Sequence, residues 1–167
     1  APDLPPIVHE FLPSCEWRAR IFALVVICST MRAVIQRVSE ASVSIDGVIC
    51  GKINRGLMIL VGIEEADNPE DVNWLAKKIA GMRIFTDANG KMNESLIDIS
   101  GEVLIVSQFT LHASTKKGTR PSFIRAARPE HAIPLYEAFV ATMDELTEPP
   151  VATGKFGADM QVQIIND

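Results

Sequence analysis

The run GLMILVGI, residues 56–63, contains no polar side chain. A strand with one face in water alternates apolar and polar residues, so an unbroken apolar run predicts a strand covered on both faces. A chain with such a strand must place other layers of structure on both sides of it.

Other segments have the composition of strands. RAVIQRV (32–38) and ASVSI (41–45) are rich in β-branched residues, and EVLIVSQFTL (102–111) is the longest strand candidate. Asp46-Gly47 predicts a hairpin turn because both residues tolerate positive φ. A last strand is expected over residues 160–165.

Two segments have helical spacing. Asn68 suits an N-cap and Pro69 the first helical position, and apolar residues then recur every three or four positions as far as Met82. A second helix is expected over 134–146, with Pro134 confined to its first turn. The sum is a single α+β domain, a largely antiparallel sheet packed with two helices.

Composition narrows the function classes. The chain has 167 residues, a net charge of −5 and 47% hydrophobic residues, which indicates one sizeable core and argues against a wholly basic surface. Its three cysteines lack metal-ligand spacing, so we expect a reducing compartment and no metal site. The apolar run at 21–28 is far shorter than the roughly 20 residues that span a bilayer.

Residues 1–30 differ from the rest of the chain. They contain four prolines and no persistent periodicity, whereas a well-patterned sequence begins at Met31. We therefore expect 1–30 to be an upstream or non-native extension and 31–167 to form the domain.

Three stretches carry possible chemistry. The strand at 102–111 turns polar at Ser107-Gln108 and again at Thr110, where its pattern predicts burial. Residues 114–131 hold five basic residues against one acid, which is typical of a solvated loop or of a phosphate-contacting loop. TGKFGADM (153–160) indicates either a turn or a close backbone approach to a ligand.

Five segments in order resemble the D-aminoacyl-tRNA deacylase family. They are MRAVIQRVSEASVSIDG, SQFTL, GTRPSF, LYEAF and TGKFGADMQV, and the resemblance extends over 31–167. It implies a barrel-like sheet and hydrolysis of the ester that joins a D-amino acid, or glycine, to the 3′ end of tRNA. It also implies a cytoplasmic homodimer that acts in translation quality control, with no cofactor and no membrane.

The resemblance also implies site residues. Ser107, Gln108, Phe109 and Thr110 would line the pocket for the aminoacylated terminal adenosine. The backbone N–H groups of Phe109 and Thr110 are candidates for an oxyanion hole. Phe156 and Met160 match family positions near the pocket, and Arg37 matches the residue that helps hold the family's Gly-Pro motif, so all three are expected to bind substrate. Lys116, Lys117 and Arg120 are expected to bind it through phosphate contacts, because they lie in the basic loop. Water attack assisted by the substrate's 2′-hydroxyl is expected, with Thr110 as nucleophile the alternative.

One motif departs from the family pattern. The family's Asn-x-Gly-Pro-x-Thr motif is matched only by Asn166 and Asp167, so we expect either a C-terminally truncated sequence or a lost chiral filter. Two rival functions follow. One is a tRNA- or protein-binding module without chemistry, and the other is a small-substrate esterase that uses Thr110 with His112.

Overall fold

The computed structural model describes residues 23–28, 30–116 and 118–167. These residues form nine strands, two α-helices and one 3-10 helix, in the order β1 (Ala23–Cys28), β2 (Met31–Ile45), β3 (Val48–Ile53), β4 (Gly56–Gly62), α1 (Pro69–Gly81), β5 (Phe85–Thr86), β6 (Met92–Glu94), β7 (Glu102–Ser107), the 3-10 helix (Phe109–His112), α2 (Pro129–Leu146), β8 (Ala152–Thr153) and β9 (Gln161–Asn166).

Seven of these strands form one mixed sheet centred on β2. β2 pairs antiparallel with β1, β3, β4 and β9, whereas β4 pairs parallel with β7 and β7 with β8. Val38 pairs with β4 and also with β9, so β9 and β1 both lie along the edge of β2 that is opposite β4. The prediction of a largely antiparallel sheet with two helices in a single domain is confirmed.

The sheet is buried on both faces, as the apolar run at 56–63 predicted. Alternate residues of β4 face opposite ways. Leu57 and Ile59 join the cluster that contains the helices, and Met58 joins a second cluster of strand residues against which Met160 and Val162 pack. Leu104 of β7 also lies in the second cluster. Both faces of the central strands therefore contribute to a core.

The sheet also curls on itself. A Cβ atom at Gly51 of β3 would lie 2.8 Å from the carbonyl oxygen of Thr153 in β8, although these strands are not hydrogen-bonded neighbours in the sheet. Only a residue without a side chain allows this approach. The second cluster is consequently enclosed in a barrel-like fold.

The start of α1 agrees with its prediction. The Asn68 side chain accepts hydrogen bonds from the backbone N–H groups of Glu70 and Asp71, and the Asp71 carboxylate accepts from the N–H of Asn68. This reciprocal pair is a capping box, which satisfies backbone donors that have no partner within the helix.

The predicted start of α2 was wrong. The helix begins at Pro129, and Pro134 lies inside it and not in its first turn. Proline removes the hydrogen bond to the carbonyl four residues earlier, which here belongs to the exposed Glu130. Because that carbonyl lies in the first turn, water can replace the missing donor.

Two strand boundaries also differ from those expected. The segments 32–38 and 41–45 are one continuous strand, β2, whose pairing with β9 shifts register between Val38 and Glu40. The strand expected at 102–111 ends at Ser107, and a 3-10 turn follows. In the described part of the chain, no helix has the length and apolarity needed to cross a membrane.

Candidate functional site

The candidate site is a pocket at the carboxyl ends of the parallel strands β4 and β7. Val61 and Ser107 are paired at this end, and the N–H of Gln108 donates to the carbonyl oxygen of Val61 at 2.7 Å. The pocket has a volume of about 320 Å³, with residues 107–109 on one side and residues 156–160 on the other. The pocket therefore lies where the parallel strands β4 and β7 end.

The 3-10 turn packs closely against the end of β4. A Cβ atom at Gly62 would lie 2.9 Å from the carbonyl oxygen of Gln108 and 3.0 Å from the Cβ of Leu111, so a side chain at this position would displace the turn. The guanidinium of Arg32 donates to the carbonyl oxygen of Leu111 at 2.8 Å. The turn that carries the candidate catalytic residues is therefore fixed at both ends.

Within the turn, the polar side chains contact each other. The amide of Gln108 donates to the hydroxyl oxygen of Thr110 at 2.6 Å. The first N–H groups of a helical turn have no partner within it, so the N–H groups of Phe109 and Thr110 can donate to a ligand. Phe109 lines the pocket and its side chain is 57% exposed.

The opposite wall is anchored to the sheet through Tyr136. The ring of Phe156 lies edge-on to that of Tyr136, with centroids 5.8 Å apart. The Tyr136 hydroxyl donates to the carbonyl oxygen of Ile105 at 3.0 Å, and the N–H of Gly154 donates to the same oxygen at 3.2 Å. Burial raises the pKa of Tyr136 to about 12, so this hydroxyl keeps its proton at neutral pH.

The structure brings together five of the residues that the sequence singled out. They all line the pocket, and they are Ser107, Gln108, Phe109, Phe156 and Met160. Thr110 lies one residue beyond the lining, on the same turn.

The basic candidates lie elsewhere. Arg37 is buried and donates to the carbonyl oxygens of Ile84 at 2.7 Å and Asp167 at 3.3 Å, and its guanidinium also lies 3.2 Å from the Asp167 carboxylate. Lys116 and Arg120 are on the exposed loop after the 3-10 helix and do not line the pocket. Lys117 falls outside the described residues.

Sequence reasoning missed a charged cluster behind the turn, in which Glu64 and His112 are buried and Arg125 is exposed. Glu64 follows β4 and accepts two hydrogen bonds from the guanidinium of Arg125, at 2.8 and 3.0 Å. The Nδ1 of His112 lies 3.6 Å from the same carboxylate. The only local signal was a carboxylate placed directly after a buried strand.

His112 does not support the esterase alternative. Both of its ring nitrogens are buried without a hydrogen bond, and no contact to Thr110 is present among the described residues. Nor does any group of three or more His, Cys, Asp or Glu side chains in the described ranges have an arrangement that could hold a metal ion.

Comparisons with known proteins show relatives over most of the chain. The family model described as D-Tyr-tRNA(Tyr) deacylase matches residues 34–167. A protein of Akkermansia muciniphila named D-aminoacyl-tRNA deacylase is 66% identical over 137 residues, which are 82% of this chain and 91% of that protein. One of the same name from Flavobacterium psychrophilum is 59% identical over the same shares.

Two solved structures share the fold. The first, titled c-Myc DNA Unwinding Element Binding Protein, has a TM-score of 0.77 and 39% identity, and the match covers 81% of this chain and 91% of that one. The second, titled as a probable eukaryotic D-amino acid tRNA deacylase, has a TM-score of 0.70, and the match covers 82% and 94%. Its 16% identity supports the fold alone. By the family model and the 66% identical relative, the chain belongs to the D-Tyr-tRNA(Tyr) deacylase family.

Proposed function

We propose that this protein hydrolyses the ester bond of D-aminoacyl-tRNA and releases the free D-amino acid and tRNA, as a step of translation quality control. The observation that carries the proposal is the meeting of residues 107–109 and 156–160 at one pocket, in a chain that is 66% identical to a D-aminoacyl-tRNA deacylase. Glycyl-tRNA is proposed as a second substrate.

The pocket suits a small substrate that has an apolar and a polar part. Its volume of about 320 Å³ is at the lower end of the range for ligand sites, roughly 300–1,000 Å³. Phe156 and Met160 offer apolar surface, whereas Ser107 and Gln108 offer a hydroxyl and an amide. We assign these residues, with Phe109, to the binding of the aminoacylated terminal adenosine.

The chemistry that the site must supply is modest, because an aminoacyl ester is already activated. We assign the N–H groups of Phe109 and Thr110 to stabilise the oxyanion of the tetrahedral intermediate, a contribution of roughly 3–4 kcal/mol per donor in other enzymes. Attack is by water assisted by the substrate's 2′-hydroxyl, with the protein holding both in position. No base contacts Thr110 among the described residues, which favours water over Thr110 as nucleophile.

The first test is the rate of D-tyrosyl-tRNA deacylation by the wild type and by Thr110→Ala. We expect turnover well above the uncatalysed rate, and a variant that retains most of it because its backbone N–H remains. Thr142→Ala, on α2 and outside the pocket lining, is the matched control. Loss of all activity in Thr110→Ala with an unchanged melting temperature would make Thr110 the nucleophile.

The same assay distinguishes the proposed enzyme from the binding-module alternative. A module without chemistry binds D-tyrosyl-tRNA and leaves the ester intact. The 39% identical structure is titled as a DNA-binding protein, but the meeting of polar and apolar walls at a pocket favours an enzyme here.

The basic candidates are assigned supporting parts in substrate binding. Lys116, Lys117 and Arg120 would contact tRNA phosphates, because a local patch can do so on an acidic protein. Arg37 would act indirectly, since it ties the end of β9 to the carbonyl of Ile84.

A cytoplasmic homodimer without a cofactor completes the proposal. Exposed Val48, Ile49 and Ile165 on β3 and β9 supply apolar surface that a second copy could cover. Light scattering should give twice the 18.3 kDa mass of the chain, and a mass of one chain at micromolar concentration would contradict the dimer.

A further inference from the structure

An exposed aromatic pair lies beside the pocket, which one of its members, Phe109, lines. The rings of Phe109 and Phe123 meet edge to face with centroids 5.3 Å apart and an interplanar angle of 74°. Their side chains are 57% and 36% exposed. Aromatic rings usually contribute to a core, so two that pack on each other in solvent offer flat apolar surface to a ligand.

The loop that carries Phe123 is tied down on both sides of it. Ser122 and Ser114 exchange two backbone hydrogen bonds, at 2.8 and 2.9 Å. Two residues after Phe123, Arg125 makes its paired hydrogen bonds to the buried Glu64, and the N–H of Ala127 donates to the carbonyl oxygen of Ile63 at 2.9 Å. The Phe123 ring is therefore held in place before any ligand arrives, which reduces the entropy cost of binding.

The same loop has free positive charge. Between Ser114 and Arg128 the sequence has no acidic residue. Arg125 is neutralised by Glu64, but Lys116 and Arg120 have neither an ion pair nor a hydrogen bond within the described ranges. Flat aromatic surface and unpaired cations on one loop are the combination that binds single-stranded nucleic acid, through base stacking and phosphate contacts.

We propose that Phe109 and Phe123, with Lys116 and Arg120, form a shelf that binds the single-stranded nucleotides preceding the terminal adenosine of tRNA. This inference rests on the proposed function, because the pocket beside Phe109 is assigned to that adenosine. Bases of a duplex are stacked on each other, so only an unpaired end can lay a base on these rings.

The test compares two substrates that differ only in the nucleotides the shelf would hold. D-tyrosyl-tRNA has them, and D-tyrosyl-adenosine lacks them. For Phe123→Leu we expect kcat/KM on the tRNA to fall about 10-fold relative to kcat/KM on the adenosine ester, mainly through KM. Phe123→Tyr should restore the ratio, because its ring can stack.

The matched control is Ile124→Ala, which removes a neighbouring side chain that is 92% exposed and not aromatic. It should leave the ratio unchanged. If Phe123→Leu lowered kcat/KM equally on both substrates, or on neither, the proposed shelf would be contradicted.

A binding measurement separates this inference from the proposed function. An acceptor-stem RNA hairpin with 2-aminopurine next to its terminal adenosine reports stacking as fluorescence quenching, without any turnover. Quenching by the wild type that is lost in Phe123→Leu supports the shelf even if no ester is hydrolysed. Absence of quenching by the wild type overturns the shelf even if hydrolysis is fast.

Discussion

Tyr136 shows how one side chain joins the site to the core. It is the single tyrosine of the chain, its side chain is buried, and its hydroxyl is bonded to the carbonyl oxygen of Ile105 in β7. Its ring supports Phe156, which lines the pocket. The position of the apolar pocket wall therefore depends on a hydrogen bond made inside the sheet.

This burial predicts a specific loss of stability in alkali. The pKa of Tyr136 is about 12 in the folded protein and about 10 in an unfolded chain. The folded state thus holds this proton more tightly, so the stability it contributes is complete below pH 10 and is lost as pH rises from 10 to 12. Absorbance of tyrosinate at 295 nm, which only Tyr136 can give, should rise near pH 12 in the folded protein and near pH 10 in urea.

Tyr136→Phe is the matched control for that titration. At neutral pH the variant should have an unfolding free energy about 1 kcal/mol lower, because the hydrogen bond is lost. Above pH 10 it should lack the further fall in unfolding free energy that the wild type shows. A folded protein whose 295 nm absorbance rises at pH 10 would show that the hydroxyl is exposed to water.

At the residue scale, the sequence predicted the side chains that interrupt a pattern. Ser107 and Gln108 were visible because they end an apolar strand, and they do line the pocket. The Glu64–Arg125 pair was not visible, because its partners are 61 residues apart and nothing near Glu64 in the sequence indicates Arg125 as its partner. Long-range ion pairs depend on the fold and not on sequence spacing.

Among the elements, β1 has an unexpected place in the sheet. β1 pairs with residues 31–36 of β2 and lies on the same edge as β9, which pairs with residues 38–44. Val26 of β1 packs partly against the main core, whereas Val25 points away and is 60% exposed. Backbone groups of β2 that would otherwise form an open edge are thereby paired.

A pair of neighbouring substitutions tests whether β1 packs as described. Val26→Asp should lower the unfolding free energy by about 2 kcal/mol, because it places a charge against the core. Val25→Asp should change it by at most about 0.5 kcal/mol, because the side chain is in solvent. Urea denaturation of both variants measures the difference. Equal, small effects would mean that β1 does not contribute to the folded domain.

The elements differ in how well the sequence predicted them. The start of α1 was predicted from its capping residues, which act locally. The 3-10 turn at Phe109–His112 was taken for strand, because its apolar residues continue the pattern of β7 and only packing on Gly62 bends the chain there. The strand Ala23–Cys28 was not predicted, since it is defined by its pairing with β2.

At the scale of the whole molecule, the fold positions two distant segments around one cleft. Parallel pairing of β4 and β7 puts the polar turn at the end of the sheet, and the connection from α2 through β8 brings Phe156 and Met160 to face it. The sequence predicted the two helices and the two-faced core from periodicity. It could not predict which ends of the strands meet, because that depends on the parallel pairing.

The most direct measurement is deacylation of D-tyrosyl-tRNA by the wild type and by Ala158→Trp, which places a large ring in the pocket from its lining loop. We predict rapid hydrolysis by the wild type and at least about a 100-fold loss in the variant, with melting temperatures that agree, because a filled pocket cannot hold the ester in position. Ala141→Trp, on the exposed face of α2, is the control and should keep full activity. No hydrolysis by the wild type, or equal rates for Ala158→Trp and the wild type, would contradict the assignment of this pocket as the active site.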